Sequence, residues 1–137
     1  MDYEEYRQKY FQDPPPRERF EAQGVIGATL YYADYQAALD FVTQVFGEPV
    51  YQEAAHTRGW RLGRSWLTLF PSQGGNPTNI EVPIYLANAQ ELNRIYEAFI
   101  AAGATGEAPQ NTLMYEPVRM AILTDPFGVT WDLVAPL

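Results

Sequence analysis

The spacing of apolar residues along the chain changes period several times, and each change marks an element. "VIGATLYY" (25–32) is an unbroken apolar and aromatic run of strand length. Asp34 then occupies a helix-capping position; Ala38, Phe41, Val42 and Val45 recur at helical spacing, and Gly47 ends the helix. A strand-like stretch around residues 50–52 leads to "GWRL" (59–62), to Gly63-Arg64 as a two-residue hairpin turn, and to "SWLTLF" (65–70). "PSQGGNPTN" (71–79) is a loop dense in Gly, Pro and Asn.

After that loop the order repeats. "IEVPIYL" (80–86) reads as a strand, and Asn88 with Glu91 resembles a capping box. Leu92, Ile95, Phe99 and Ala102 form an apolar stripe that Gly103 terminates. A loop through Pro109 leads to "VRMAILT" (118–124), the "DPFG" turn (125–128) and "VTWDLV" (129–134). The chain is therefore read as two β-α-β-β-β units, about 24–73 and about 79–137, in a domain spanning 21–137. Residues 1–20 are set apart. They comprise a short helical arm with Tyr3, Tyr6 and Tyr10 at helical spacing and a stiff "DPPP" linker, expected to pack on the domain or on a neighbouring subunit.

Composition narrows the chemistry. At 137 residues, 47% of them hydrophobic, the chain suits one domain with its own core. There is no cysteine, which removes disulfides and thiolate chemistry, and a single histidine, His56, which removes two-histidine metal motifs. A formal charge of −8 repels phosphate backbones and argues against nucleic acid. No apolar run reaches membrane-spanning length, and "MDYEEYRQKY" lacks the features of a signal peptide, so a cytoplasmic location away from membranes is expected.

The tandem β-α-β-β-β order and the ending "DPFGVTWDL" resemble the vicinal-oxygen-chelate superfamily, also called the glyoxalase, bleomycin-resistance and dioxygenase superfamily, and within it the PhnB-like branch. The resemblance covers residues 25–137. It implies a mixed α+β fold in which each unit forms half of an incomplete barrel and two units make a ligand-holding cup. Metal-dependent members use four side chains, a pair from the first and last strands of each unit. Carried over from the helix caps, the first-strand positions are Gly27, seven residues before Asp34, and Glu81, seven before Asn88; the last-strand positions are Thr68 and Asp132. Half of the set is thereby missing, since Gly27 offers no side chain.

Strand alternation bears on the same residues independently. With Val129, Trp131 and Leu133 facing the helices, Asp132 faces the cup, as do Tyr31 from the first strand and Glu81 and Tyr85 from the second unit. Counting out from Gly63-Arg64 pairs Arg61 with Trp66, beside Thr68. Counting out from "DPFG" pairs Thr124 with Val129 and Ala121 with Asp132, which leaves Arg119 diagonal to Asp132 and available for a cross-strand ion pair.

The expected ligand-binding set is thus Tyr31, Arg61, Trp66, Thr68, Tyr85, Arg119 and Asp132, with Glu81 and Asp132 as an incomplete metal pair. Two arginines against an acidic background favour a small acidic organic ligand, bound or transformed without a resident cofactor. The alternative is a metal-dependent isomerase, lyase or dioxygenase using Glu81 and Asp132. A third reading is an assembly protein acting through the aromatic arm. A homodimer is expected, because open strand edges and the aromatic arm both call for covering.

Overall fold

The computed structural model describes residues 1–19, 21 and 26–137. Helix α1 (Tyr3–Tyr10) opens the chain, with the Asp2 side chain accepting from the Glu5 amide at 2.8 Å as its N-cap. The first unit comprises β1 (Ala28–Tyr32), α2 (Tyr35–Phe46), β2 (Tyr51–Glu53), β3 (Thr57–Leu62) and β4 (Ser65–Pro71). The second comprises β5 (Glu81–Tyr85), α3 (Ala89–Ala101), β6 (Thr105–Gly106), β7 (Gln110–Met114), β8 (Glu116–Thr124) and β9 (Thr130–Pro136). Val25, the first residue of the expected opening strand, lies outside the described residues.

Each unit makes its own open sheet. The strand orders are β1-β4-β3-β2 and β5-β9-β8-β6, with β7 also on β8. In both, the first strand runs parallel to the last, so β1 beside β4 is matched by β5 beside β9. The fold is the α+β, glyoxalase-like arrangement of tandem units that the sequence order implies. The expected loop before β8 is in part a strand: β6 and β7 pair with successive parts of β8 as an interrupted edge.

The apolar stripes explain how the units join. Ala38, Phe41, Val42 and Val45 of α2 and Leu92, Ile95 and Phe99 of α3 are buried, and each helix covers its own sheet while touching the other helix. Phe99 packs against Phe41, Phe46 and Trp131, with ring centroids 5.9, 5.6 and 5.5 Å apart. Phe46 of the first unit also reaches Trp131 of the second, at 6.0 Å. The helices therefore lie between the sheets in one shared core, and the sheet faces opposite the helices look outward.

Both helix starts hold, by different means. Asn88 accepts from the Glu91 amide at 2.9 Å, while Glu91 turns to Arg94 instead of reaching back. Asp34 stands at the N-cap of α2 but makes no side-chain cap; its carboxylate and amide bond Asn76 of the inter-unit loop at 2.8 and 3.1 Å. The expected cap is thus a tie between the units.

The "DPFG" turn corrects the expected register. Asp125 is buried, and its Oδ1 accepts from the amides of Phe127 and Val129 at 2.8 and 3.0 Å while Oδ2 accepts from the Trp131 indole at 2.9 Å. These bonds draw Val129 into the turn, so Thr124 pairs with Thr130, Ile122 with Asp132 and Arg119 with Ala135. The expected pairs of Thr124 with Val129 and Ala121 with Asp132 are displaced by one residue, and a one-residue slip exchanges faces. Arg119 consequently lies on the helix side.

The arm packs on its own chain. The Tyr3 hydroxyl donates to the Tyr115 carbonyl at 3.3 Å, and the Tyr6 hydroxyl accepts from the Tyr115 amide at 2.8 Å. Pro15 and Pro16 lie beside Tyr6, Tyr10 and Phe11.

Because Asp125 satisfies three donors in a buried turn, Asp125→Ala is expected to lower unfolding free energy by about 2–4 kcal/mol, read as a lower urea midpoint. Thr124→Ala, an exposed neighbour, is expected to change it by under about 1 kcal/mol.

Candidate functional site

The alternation of each sheet sorts the candidate residues between two outward faces. On the first unit, Thr29 pairs with Thr68, Tyr31 with Phe70, Gly59 with Thr68 and Arg61 with Trp66, all on the face opposite α2. The two-residue turn at Gly63-Arg64 has the expected register, with Gly63 at φ 62°. The Arg61 guanidinium sits over the Trp66 ring, 4.8 Å from its centroid, and Nε donates to the Gly63 carbonyl at 3.3 Å. Tyr31 and Phe70 stack at 5.2 Å with their planes 17° apart. This is an aromatic face carrying one cation.

The second face has the opposite character. Glu81, Pro83 and Tyr85 of β5 run beside Thr130, Asp132 and Val134 of β9, opposite α3. Trp131 points to the helices and is fully buried, as alternation requires, so Asp132 belongs to the outward face. Even so, Asp132 is only 7% exposed, hemmed in by its neighbours Pro83 and Ile122, and its Oδ1 has no hydrogen-bond partner. Burial first, and then the Glu81 carboxylate within hydrogen-bonding reach, push the Asp132 carboxyl up from 3.8 to about 6.

The candidates do not all meet. Tyr31, Arg61, Trp66 and Thr68 share the first face and Glu81, Tyr85 and Asp132 the second; the interposed helices keep these faces apart within one chain. Arg119 joins neither. Its guanidinium donates to Asn93 of α3 at 2.9 Å and Asn111 of β7 at 3.1 Å, so the expected diagonal with Asp132 does not form. His56 is exposed, with Nδ1 2.6 Å from the Thr57 hydroxyl. Trp60 is core: it is buried, and its indole donates to the Gly47 carbonyl at 2.8 Å. Sequence reasoning missed Tyr51, Gly59, Phe70 and Ile122 on these faces. Alternation extended from Trp66 finds Phe70, and cross-strand counting from Arg61 finds Gly59.

The sequence profile of the Glyoxalase/Bleomycin resistance protein/Dioxygenase superfamily matches residues 24–133. The chain belongs to that superfamily. Lactoylglutathione lyase from Agrobacterium tumefaciens is 20% identical with a TM-score of 0.63, covering 84% of this chain and 96% of the lyase. TioX from Micromonospora sp. ML1 is 19% identical with a TM-score of 0.66 over 83% and 100%. The fosfomycin resistance protein FosX from Mesorhizobium loti is 14% identical with a TM-score of 0.62 over 85% and 95%. At these identities the likeness is one of fold. No curated protein matches the chain.

For this superfamily member, the donor set can be tested at the four implied metal positions. Glu81 and Asp132 offer carboxylates and Thr68 a hydroxyl. At Gly27 a Cβ would lie 2.9 Å from the Trp66 carbonyl oxygen, so that corner has no room for a ligand side chain. Among the described residues, no three His, Asp or Glu side chains cluster to hold an ion. The residues do not fit the four-ligand set.

The Asp132 shift fixes a pH dependence. An acid whose pKa is higher folded than unfolded holds its proton more tightly when folded; its stabilising contribution is full below about pH 4 and is lost as pH rises through about 6. Asp132→Asn is expected to remove this slope. Between pH 4 and pH 7 the native protein should lose about 1 kcal/mol relative to the variant, less than the full linkage value because Glu81 is solvated. Urea unfolding across that range measures it, and parallel curves for the two proteins would contradict it.

Proposed function

We propose that the chain binds a small acidic organic molecule on the outward face of its first unit, with Arg61 taking the acidic group and Trp66, Thr68 and Tyr31 bounding it. The observation that carries this reading is the Arg61 guanidinium stacked on a partly exposed indole without an ion pair among the described residues. A guanidinium so placed keeps its Nη edge open to a carboxylate while Nε is taken by the Gly63 carbonyl. Arg119, bound to Asn93 and Asn111, has no part in it.

The binding form is a two-fold homodimer. The first face of one chain opposes the second face of its partner, bringing Tyr85, Glu81 and Asp132 over the ligand. Support comes from the outward direction of both faces, from the exposed rings of Tyr31, Tyr51, Trp66 and Tyr85 on them, and from the edges of β1 and β5, which pair with no further strand among the described residues. A two-fold axis closes both faces at once. The arm is not required, since it packs on its own chain. The "DPFGVTWDL" ending supports a PhnB-like member of the superfamily. No helix among the described residues is long and apolar enough to cross a membrane.

A metal-dependent isomerase, lyase or dioxygenase reading has one observation in its favour, the buried and unpartnered Asp132 Oδ1 beside Glu81. With two carboxylates alone the ion would be weakly held.

Arg61→Gln is expected to weaken binding of small carboxylates at least tenfold, about 1.5–3 kcal/mol, in a thermal-shift titration, whereas Arg119→Gln should leave it unchanged. Light scattering is expected to show a dimer for the full chain and for a chain beginning at Phe20; a monomer in both would overturn the dimer. After incubation with divalent metal and dialysis, elemental analysis is expected to find far less than one ion per chain, and a stoichiometric ion lost in Glu81→Ala would favour the metal reading.

A further inference from the structure

Arg119 stands apart from both outward faces, and the side chains that hold it leave a group of donors without an acceptor. Its Nε donates to the carboxamide oxygen of Asn93 on α3 at 2.9 Å and its Nη1 to that of Asn111 on β7 at 3.1 Å. A guanidinium has donors only, so both asparagines must turn their oxygens to it, and each then carries its NH2 beside the guanidinium. Neither NH2 nor Nη2 of Arg119 has a hydrogen-bond partner among the described residues, and no carboxylate there pairs with the guanidinium. Asn93 and Asn111 are exposed, so a solute can reach these donors. As a tie between α3, β7 and β8 alone, an aspartate in either place would hold the guanidinium more strongly. Two carboxamides instead leave its charge uncompensated, in a chain whose formal charge is −8.

We propose that Arg119, Asn93 and Asn111 form a second anion site, separate from the Arg61 face, that takes a tetrahedral oxyanion of the phosphate kind. The choice of oxyanion follows from the donors that remain. A carboxylate grips a guanidinium best in its plane, along the edge shared by Nε and Nη2, and Asn93 already occupies Nε there. What is left is Nη2 with an NH2 from each of two other elements, donors that do not lie in one plane and suit an anion whose oxygens point in several directions. The two bonds to asparagine also restrain the guanidinium before any ligand arrives, which lowers the ordering cost of binding. Asn111 and Leu113 of β7 pair with Arg119 and Pro117 of β8, which places all four on one face. Asn111, Leu113 and Pro117 border a recess of about 580 Å³ whose other wall includes Tyr6 and Tyr10 of the arm. A phosphate carried on a small organic body would thus have an apolar surface beside the donors.

Titration calorimetry on the full chain at constant ionic strength tests this, with inorganic phosphate, phenyl phosphate and acetate as probes. Phosphate is expected to bind, and Arg119→Gln to weaken it roughly tenfold or more. The separating variants are Asn93→Asp and Asn111→Asp. Each keeps an oxygen to accept from Arg119, so the urea midpoint is expected to stay level or rise, but each replaces a donor with a negative charge and is expected to cut phosphate affinity by roughly tenfold. Arg61→Gln is expected to leave phosphate binding unchanged, and acetate is expected to show no dependence on Arg119. Phenyl phosphate binding severalfold more tightly than inorganic phosphate assigns the anion to an ester whose body uses the recess; equal affinities assign it to the free anion. No phosphate binding in the native chain, or an affinity that neither aspartate variant lowers, would overturn the site and leave the Arg61 reading untouched. Phosphate binding lost in Arg61→Gln and kept in Arg119→Gln would overturn it in favour of the first face.

Discussion

The Asp125 carboxylate fixes the geometry on which the second unit depends. One side chain closes the turn between β8 and β9 by accepting from two backbone amides and from the indole of Trp131. The turn thereby determines both the register of the central strand pair and the seat of the largest core residue on β9. Asp132 turns outward because Trp131 is held inward, and Arg119 goes to the helix side because the same turn contains Val129. Three donors also account for a carboxylate buried in the core, where an unpaired one would be costly.

The second constraint is the packing of α2 against α3. Phe41, Phe46 and Phe99 join the units through their helix sides, with Trp131 completing the cluster. With their apolar stripes buried in the shared core, the helices leave each sheet with an outward face of mixed polar and aromatic residues. The Asn76 contacts with Asp34 tie the inter-unit loop to the start of α2.

The two faces differ in charge. The first carries Arg61 on an aromatic bed; the second carries Glu81 and a crowded Asp132 that holds its proton up to about pH 6. Gly27, pressed against the Trp66 backbone, is a reason why the symmetry of the repeat does not extend to a symmetric set of metal ligands.

By itself the sequence determined most of the local structure. Periodicity identified the helices and most strands, the Gly63-Arg64 turn placed Arg61 on Trp66, alternation put Trp131 inside and Asp132 outside, and the "DPFG" ending with the tandem order identified the superfamily. These are short-range consequences of side-chain period and turn geometry. The tertiary structure alone decided what depends on contacts between distant residues. Whether Asp125 would cap its own turn, and so reverse the face of Arg119, depends on Trp131 donating from the next strand. Whether the two faces share one cup depends on the packing of two helices. A period in sequence gives the face on which a residue lies, but only packing gives what that face meets.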